Sequence, residues 1–336
     1  KKKLALPLCG SNKIAFDKVE IFTRNNRKIS SKILGIKKIN SLSLPVKNKI
    51  KKDLKKIISK RKILNKSTNY NEPMIMGILN MTPDSFSDGG KYIYKKNALK
   101  KIDSMIKAGA KIIDIGGEST RPGSKTITSK REWKRIESVV KIFKKKYFKT
   151  LLSVDTRKSK IMKMSLKNKV DIINDVSGFK HDTKSLEQIK NKNVWKVIHH
   201  MQGSPKTMQI NPKYKNVLLD IYDFFEDKIS NQFKNMKYFD KIILDPGIGF
   251  GKNLKHNLML LSKISLFHSL GFPILIGTSK KKFISDMSGI FDSKERIGGT
   301  LSSVLFTISQ GVQIFRVHDV LEIKQGILVY KKLLDQ

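Results

Sequence analysis

From Met74 onward the chain alternates short apolar runs with longer stretches whose apolar residues recur at helical spacing. The runs are 74–80 (MIMGILN), 111–116 (KIIDIG), 150–155 (TLLSVD), 171–175 (DIIND), 194–200 (VWKVIHH), 241–245 (KIILD), 273–278 (PILIGT) and 312–318 (VQIFRVH). Near-continuous apolarity predicts strands covered on both faces, as in a parallel sheet. Between them, Trp133, Ile136, Val140 and Phe143 mark one helix face, and Val217, Leu218, Ile221, Phe224, Phe225 and Ile229 another. Ser129 and Glu132 have capping-box spacing, and Gly109 and Gly271 stand where C-terminal caps belong. Repeated β-α units over this length predict an α/β fold, a (β/α)8 TIM barrel, with a doubly wound open sheet as the alternative.

Residues 1–70 read differently and form a basic N-terminal extension, leaving 71–336 as the barrel. Short strands are expected within 15–23 and 32–36. Residues 47–66 hold ten Lys/Arg in twenty positions, with Ile50, Leu54, Ile57 and Ile58 on one helical face. We read this segment as a helix packed on the main domain with a solvated lysine face, in preference to a membrane-surface or nucleic-acid helix. Residues 67–72 are polar and read as a linker.

Composition narrows the function classes. No run approaches the ~20 apolar residues of a membrane span. The single cysteine, Cys9, excludes a disulfide framework and a cysteine-rich zinc fold. Lys1–Lys3 followed by Leu4–Cys9 imitates an export signal, but the apolar stretch is short and contains Pro7; a cytoplasmic protein is expected. The net charge of +41 is spread over the whole chain, which is also rich in Ile and Asn. It reads as a solvated basic surface, and nucleic acid is not the expected partner.

The predicted strands end in polar residues: Asn80, Asp114, Asp155, Asn174, His199 and His200, Asp245, Thr278 and Ser279, and Arg316 to His318. One such tip is explained by a turn; eight together point to the C-terminal mouth of a barrel, where active sites sit. Asp155, Asn174 and Asp245 suit a planar heterocycle rich in N–H donors, since a carboxylate pairs well with a guanidine-like edge. Arg316, His318 and Lys281 suit phosphate oxygens. Asn80 and nearby loop oxygens suit Mg2+ held between phosphates.

Two long loops, 81–94 (MTPDSFSDGGKYIY) and 117–128 (GESTRPGSKTIT), have the length and composition of binding loops or lids. Residues 245–252 (DPGIGFGK) only imitate a P-loop, because Pro246 takes the first glycine position and Asn253 follows Lys252. His199 and His200 lack metal-ligand spacing and read as core or rim packing.

The motifs 79–90 (LNMTPDSFSDGG), 113–123 (IDIGGESTRPG), 153–156 (SVDT), 172–178 (IINDVSG), 199–208 (HHMQGSPKTM), 244–252 (LDPGIGFGK), 277–281 (GTSKK) and 315–320 (FRVHDV), in this order, resemble those of the dihydropteroate synthases. The ALPL-type segment of the extension resembles one seen in some bacterial members. The resemblance implies a (β/α)8 barrel, a requirement for Mg2+, a homodimer, and condensation of 6-hydroxymethyl-7,8-dihydropterin diphosphate with 4-aminobenzoate to 7,8-dihydropteroate and diphosphate. It also implies that sulfonamides target the site. By the same carry-over Asp155, Asn174, Asp245 and Lys281 hold the pterin, with Asp155, Asp245 and Lys281 catalytic. Asn80, Arg316 and His318 hold the diphosphate, with Asn80 on Mg2+, and Thr120, Arg121 and Pro122 lie on the aminobenzoate side. The chain departs from the family's S-R-K-S at Ser279-Lys280-Lys281-Lys282, which places Lys282 near the aminobenzoate carboxylate. Another pterin-binding barrel, a methyltetrahydrofolate:corrinoid methyltransferase, shares the heterocycle acceptors but has no use for the STRPG loop or the Arg316/His318 pair. A basic nucleic-acid-binding protein leaves the polar strand tips unexplained.

Overall fold

The computed structural model describes residues 5–25, 28–62, 64–65, 72–82, 91–120 and 123–336, with the side chains of 91–94 excepted. The strands are β1 (Leu6–Pro7), β2 (Ala15–Phe16), β3 (Lys18–Asn25), β4 (Lys28–Gly35), β5 (Met74–Asn80), β6 (Ile112–Gly116), β7 (Leu151–Asp155), β8 (Ile172–Asp175), β9 (Trp195–His199), β10 (Ile242–Asp245), β11 (Leu275–Ile276) and β12 (Ile314–Val317). The helices are α1 (Leu44–Ile58), α2 (Lys91–Lys107), α3 (Ser129–Lys146), α4 (Ser159–Lys167), α5 (Ser185–Ile189), α6 (Val217–Asp227), α7 (Leu254–Ser262), α8 (Lys282–Ser288), α9 (Ile297–Ile308) and α10 (Val320–Leu334).

Strands β5 to β12 form one parallel sheet in the order β10-β9-β8-β7-β6-β5-β12-β11. A parallel bridge between Leu244 and Ile274 joins the two ends and closes the barrel. The open-sheet alternative is thereby set aside. Each of the eight predicted runs contains one of these strands; β11 is the shortest, two residues inside the run 273–278.

The barrel's sequence logic lies in alternation. Met74, Met76, Ile112, Leu151, Ile172, Trp195, Val197, Ile243, Leu275 and Ile314 form one buried cluster. The residues between them belong to a second, larger cluster shared with the helices. The first set therefore lines the interior and the second faces the helical ring. Leu64 joins the interior set, and its carbonyl accepts from the Trp195 indole N–H at 3.0 Å. The chain entering β5 thus plugs the barrel bottom.

Local signals set the helix ends. Gly271 and Gly289 adopt the left-handed conformation (φ 91° and 72°) that ends a helical turn without a Cβ clash. Gly109, φ 105°, follows α2. The cap of α3 differs from the expected box. Thr128, one residue earlier, caps the helix by accepting from the Arg131 N–H, which frees Glu132 to point inward.

The extension folds as a β3–β4 hairpin followed by α1, which spans Leu44–Ile58 rather than 47–66. Ile50 is the buried residue of α1 and packs with Leu34 and Ile39. Helix α1 packs on the 3-10 turn Ile264–Leu270 that precedes β11. His268 in that turn is the peg. Its Nε2–H donates to the Gln310 carbonyl (2.8 Å), so Nδ1 accepts from the Cys9 thiol (3.3 Å), and its own carbonyl accepts from Arg61 (3.0 Å). Burial pushes the His268 imidazole down to about 3, so it is neutral at pH 7. Among the described residues no helix is long and apolar enough to cross a membrane.

Candidate active site

Two residues beyond six of the inward apolar positions, the interior turns polar. Ile112 leads to Asp114, Leu151 to Ser153 and Asp155, Ile172 to Asn174, Val197 to His199, Ile243 to Asp245, and Ile314 to Arg316 and His318. Strand register places Asn80, Gly116, Asp155 and Asn174 on one row across four strands. Asp245 pairs in register with His199 on the far side. The expected polar tips therefore share one end of one barrel.

The floor is an ion lattice. Arg316 Nε–H donates to Asp114 Oδ2 at 2.6 Å, and its Nη2–H donates to Asp155 Oδ2 at 2.8 Å. Asp114 also accepts from Ser153 Oγ–H (2.5 Å) and Asn174 Nδ2–H (3.1 Å), and no part of it reaches solvent. Burial pushes the Asp155 carboxyl up despite the Arg316 charge, and nearby Asp114 adds to the rise. Two carboxyl groups thus share one guanidinium across the floor. Asn174 Oδ1 is buried with no hydrogen-bond partner. An orphaned buried acceptor is costly unless a ligand donor satisfies it.

The opposite wall is built by the glycine-rich loop after β10. Asp245 Oδ1 accepts from the Gly247 N–H at 2.8 Å. Gly247 has φ +68°, and a Cβ there would lie 2.0 Å from the His200 carbonyl oxygen, so only glycine fits. This turn leads into Phe250, whose ring lies 4.6 Å from Lys281 Nζ. The Lys281 ammonium also donates to the Ile248 carbonyl. Burial pushes Lys281 down to about 7 even though Asp245 opposes the shift. His199 donates from Nδ1 to the Val176 carbonyl (3.0 Å), leaving Nε2 unprotonated 3.8 Å from Asp245. Burial lowers its pKa to about 4, so it is a neutral wall residue and not a counter-ion.

At the rim, Ser279 Oγ accepts from the His318 backbone N–H (3.2 Å) and meets His318 Nδ1 at 3.0 Å. Lys280 turns aside to pair with Asp319 at 2.8 Å. Lys282 opens α8, is 85% exposed and pairs with Asp286 one turn along. Thr120 is half-buried at the mouth-side end of β6. Arg121 and Pro122, and most of the 81–94 loop, lie outside the described residues.

Several residues of the site carried no assigned role in the sequence reading. Asp114 is visible there as a carboxylate inside an apolar run, yet spacing alone does not reveal that it anchors Arg316. Ser153 gives no signal beyond strand membership, and Ser279 none beyond its place after a predicted strand. Phe250 is hidden in a turn that reads as a failed P-loop.

The family model for pterin binding enzymes matches residues 76–318. The chain is 40% identical over 268 residues to the dihydropteroate synthase of Escherichia coli K12, covering 80% of this chain and 94% of that one. The chain belongs to the dihydropteroate synthase family. A crystal structure of the Yersinia pestis dihydropteroate synthase with a sulfonamide drug superposes with a TM-score of 0.74 at 36% identity, covering 80% of this chain and 97% of that one. The Xanthomonas albilineans dihydropteroate synthase with 4-aminobenzoic acid does so with 0.74 at 30% identity, over 79% and 94% of the two chains. The family model begins at Met76, so the extension lies outside it.

Proposed function

We infer that this chain joins 6-hydroxymethyl-7,8-dihydropterin diphosphate to 4-aminobenzoate, as the dihydropteroate synthases do. The observation that carries this reading is the floor. Asn174 offers a buried oxygen without a partner, in register with Asp155 and facing the wall that carries Asp245. A pterin presents its 2-amino and ring N–H groups along one edge, the complement of these acceptors. Lys281, lying over Phe250, addresses the pterin's own acceptors.

In the reaction the bond between the exocyclic methylene and the diphosphate oxygen breaks with its electron pair leaving on diphosphate. The arylamine nitrogen then forms the new C–N bond and loses a proton. The methylene cation is delocalised into the electron-rich pterin, and the Asp155 and Asp245 side chains that line the pterin site can stabilise it. An arylamine is already neutral at pH 7, so no strong general base is required. His318 and Arg316 face the departing diphosphate.

Asn80 suits a cation held chiefly through phosphate oxygens. Gly116 keeps the space beside Asn80 Oδ1 and Asp155 clear, with an added Cβ 3.8 Å and 3.6 Å from the nearest atoms of each. Among the described residues no three His, Cys, Asp or Glu side chains gather into a metal cage. Mg2+ commonly takes few protein oxygens alongside substrate phosphates. When bound, it would neutralise charge on the leaving diphosphate.

We also read the chain as a homodimer paired through α9 and α10, working in the cytoplasm, where a free Cys9 thiol is at home. The test of function is aminobenzoate-dependent diphosphate release. Release that needs both substrates and Mg2+ is expected; folded protein that releases none rejects the reading.

A further inference from the structure

Beneath the 117–128 loop lies a cluster of four buried charges that the reaction above does not use. Glu118 Oε2 accepts from Arg157 Nε–H at 2.9 Å, and its Oε1 accepts from Lys158 Nζ–H at 2.7 Å. Lys158 also donates to Glu132 Oε2 at 2.5 Å, whose other oxygen accepts from Thr156 Oγ–H at 2.6 Å. All four charged side chains are at most 10% exposed. Burial alone would raise the Glu118 carboxyl, but Arg157 and Lys158 outweigh it and hold it below its usual range.

The cluster grips the loop at its neck. Glu118 Oε1 accepts from the Ile127 backbone N–H at 3.0 Å, tying the loop's start to its end. Arg157 Nη2–H donates to Thr126 Oγ1 at 3.0 Å. Between these ties the Gly123 N–H donates to the Pro205 carbonyl of the neighbouring loop at 3.1 Å. Thr156 and Arg157 directly follow Asp155 of the floor. One turn of chain therefore links the floor carboxylate to the loop's fastening. Two cations and two anions so deeply buried are a costly way to gain stability. Their return is a fixed geometry.

We propose that Glu118, Arg157, Lys158 and Glu132 are positioning residues that fix the two stems of the loop, residues 118–120 and 123–127, beside the floor, and so govern capture of the arylamine substrate. The inference rests on the synthase reading, in which this loop lies on the aminobenzoate side.

The test compares Arg157→Met, Arg157→Lys and Thr126→Val in steady-state assays with each substrate varied in turn. Arg157→Met should raise KM for 4-aminobenzoate about tenfold or more, the scale of a lost charged hydrogen bond. KM for the pterin diphosphate should stay within about twofold, and Arg157→Lys should recover part of the loss. Thr126 is exposed, so Thr126→Val leaves the ion pairs intact and should shift only the aminobenzoate KM, by a few-fold. Should Arg157→Met fail to fold, Thr126→Val decides alone. Equal rises in both KM values, or lower thermal stability with unchanged KM values, overturn the proposal. An inactive wild-type protein would instead reject the synthase reading itself.

Discussion

Asp114 Oδ2 sits 2.6 Å from the Arg316 Nε, at a point where Asp114 has no contact with water. This pair joins β6 to β12 across the barrel interior and sets where the guanidinium ends. Asp114→Ala leaves Arg316 its Asp155 partner but strips the acceptor from the buried Ser153, Asn174 and Arg316 Nε donors. Stranding buried donors costs about 1–3 kcal/mol, so the unfolding free energy read from urea titration should fall by about that amount. It should also depress turnover, because Asn174 and Arg316 lose a shared anchor. An unchanged urea midpoint would show that Arg316 is held elsewhere.

Asp245 tests the other wall. Asp245→Asn keeps an oxygen to accept from the Gly247 N–H and keeps the side-chain size, so the fold should survive. It loses the charge that meets the pterin edge. We expect kcat/KM to fall about a hundredfold or more, in line with the loss of a charge-assisted pair. Pterin binding measured by calorimetry should weaken in parallel. Near-normal activity would sink the contact.

Much of this was legible in the sequence, for a physical reason. Eight apolar runs state the strands directly, and a polar residue closing each run states which end of the barrel does chemistry. Period-two alternation inside the runs then places Asp114 one rung below Asn80 and Asp155. What spacing cannot supply is who pairs with whom across the interior. Arg316 reads as a phosphate ligand, yet it is first the counter-charge of two carboxylates. Spacing likewise does not show that the Lys282 ammonium pairs along its own helix with Asp286. Glu132 shows the same limit. Its spacing from Ser129 suggests a cap, but tertiary contact with Lys158 takes its carboxylate inward.

Three buried histidines make the fold sensitive to acid. His268 is lowered to about 3, His199 to about 4, and His200 well below its usual value, in each case chiefly by burial. Between these values and the ordinary 6.5, the unfolded chain binds protons that the folded chain does not. Each histidine therefore removes stability as pH drops from about 6.5, by about 1.4 kcal/mol per pH unit. The buried Asp155 and Asp175 carboxyls, raised by burial, hold protons that the unfolded chain has released and work the other way. The histidine share is read from the difference between wild type and His268→Gln: urea midpoints measured from pH 7 to pH 5 should fall less steeply in the variant, by about one histidine's share. An identical pH dependence in both would contradict the burial of the His268 ring.

Leu64 is the link between extension and barrel most open to direct test. It is 5% exposed and packs among the interior residues while its carbonyl holds the Trp195 indole. Leu64→Ala opens a cavity at the barrel bottom and should cost about 2–4 kcal/mol. The backbone carbonyl remains, so the indole keeps its partner while losing apolar cover. Trp195 emission should shift to the red. Unchanged emission and stability would show that the barrel bottom is closed without it.

The outer face of α9 and α10 argues for a second copy of the chain. Val320, Ile323 and Ile327 face the barrel. Phe306, Leu321, Leu328, Val329 and Leu333 are apolar yet about half exposed or more. Leu328, Val329 and Leu333 line one depression together with Lys332 and Gln336. Gly326 lets Leu301 of α9 approach so closely that a Cβ would meet it at 2.4 Å, so the two helices present one continuous surface. A two-fold dimer buries the same patch on both partners, and stable ones cover about 800 Å² on each. Sedimentation should give twice the 38.4 kDa chain mass. Leu328→Glu with Val329→Glu should halve it, because two carboxylates buried against their own copies repel and stay desolvated. The site residues lie at the far end of β12, so these variants should keep their thermal fold and bind pterin. A monomeric wild type, or a dimer indifferent to both charges, would leave this face without the partner argued for it.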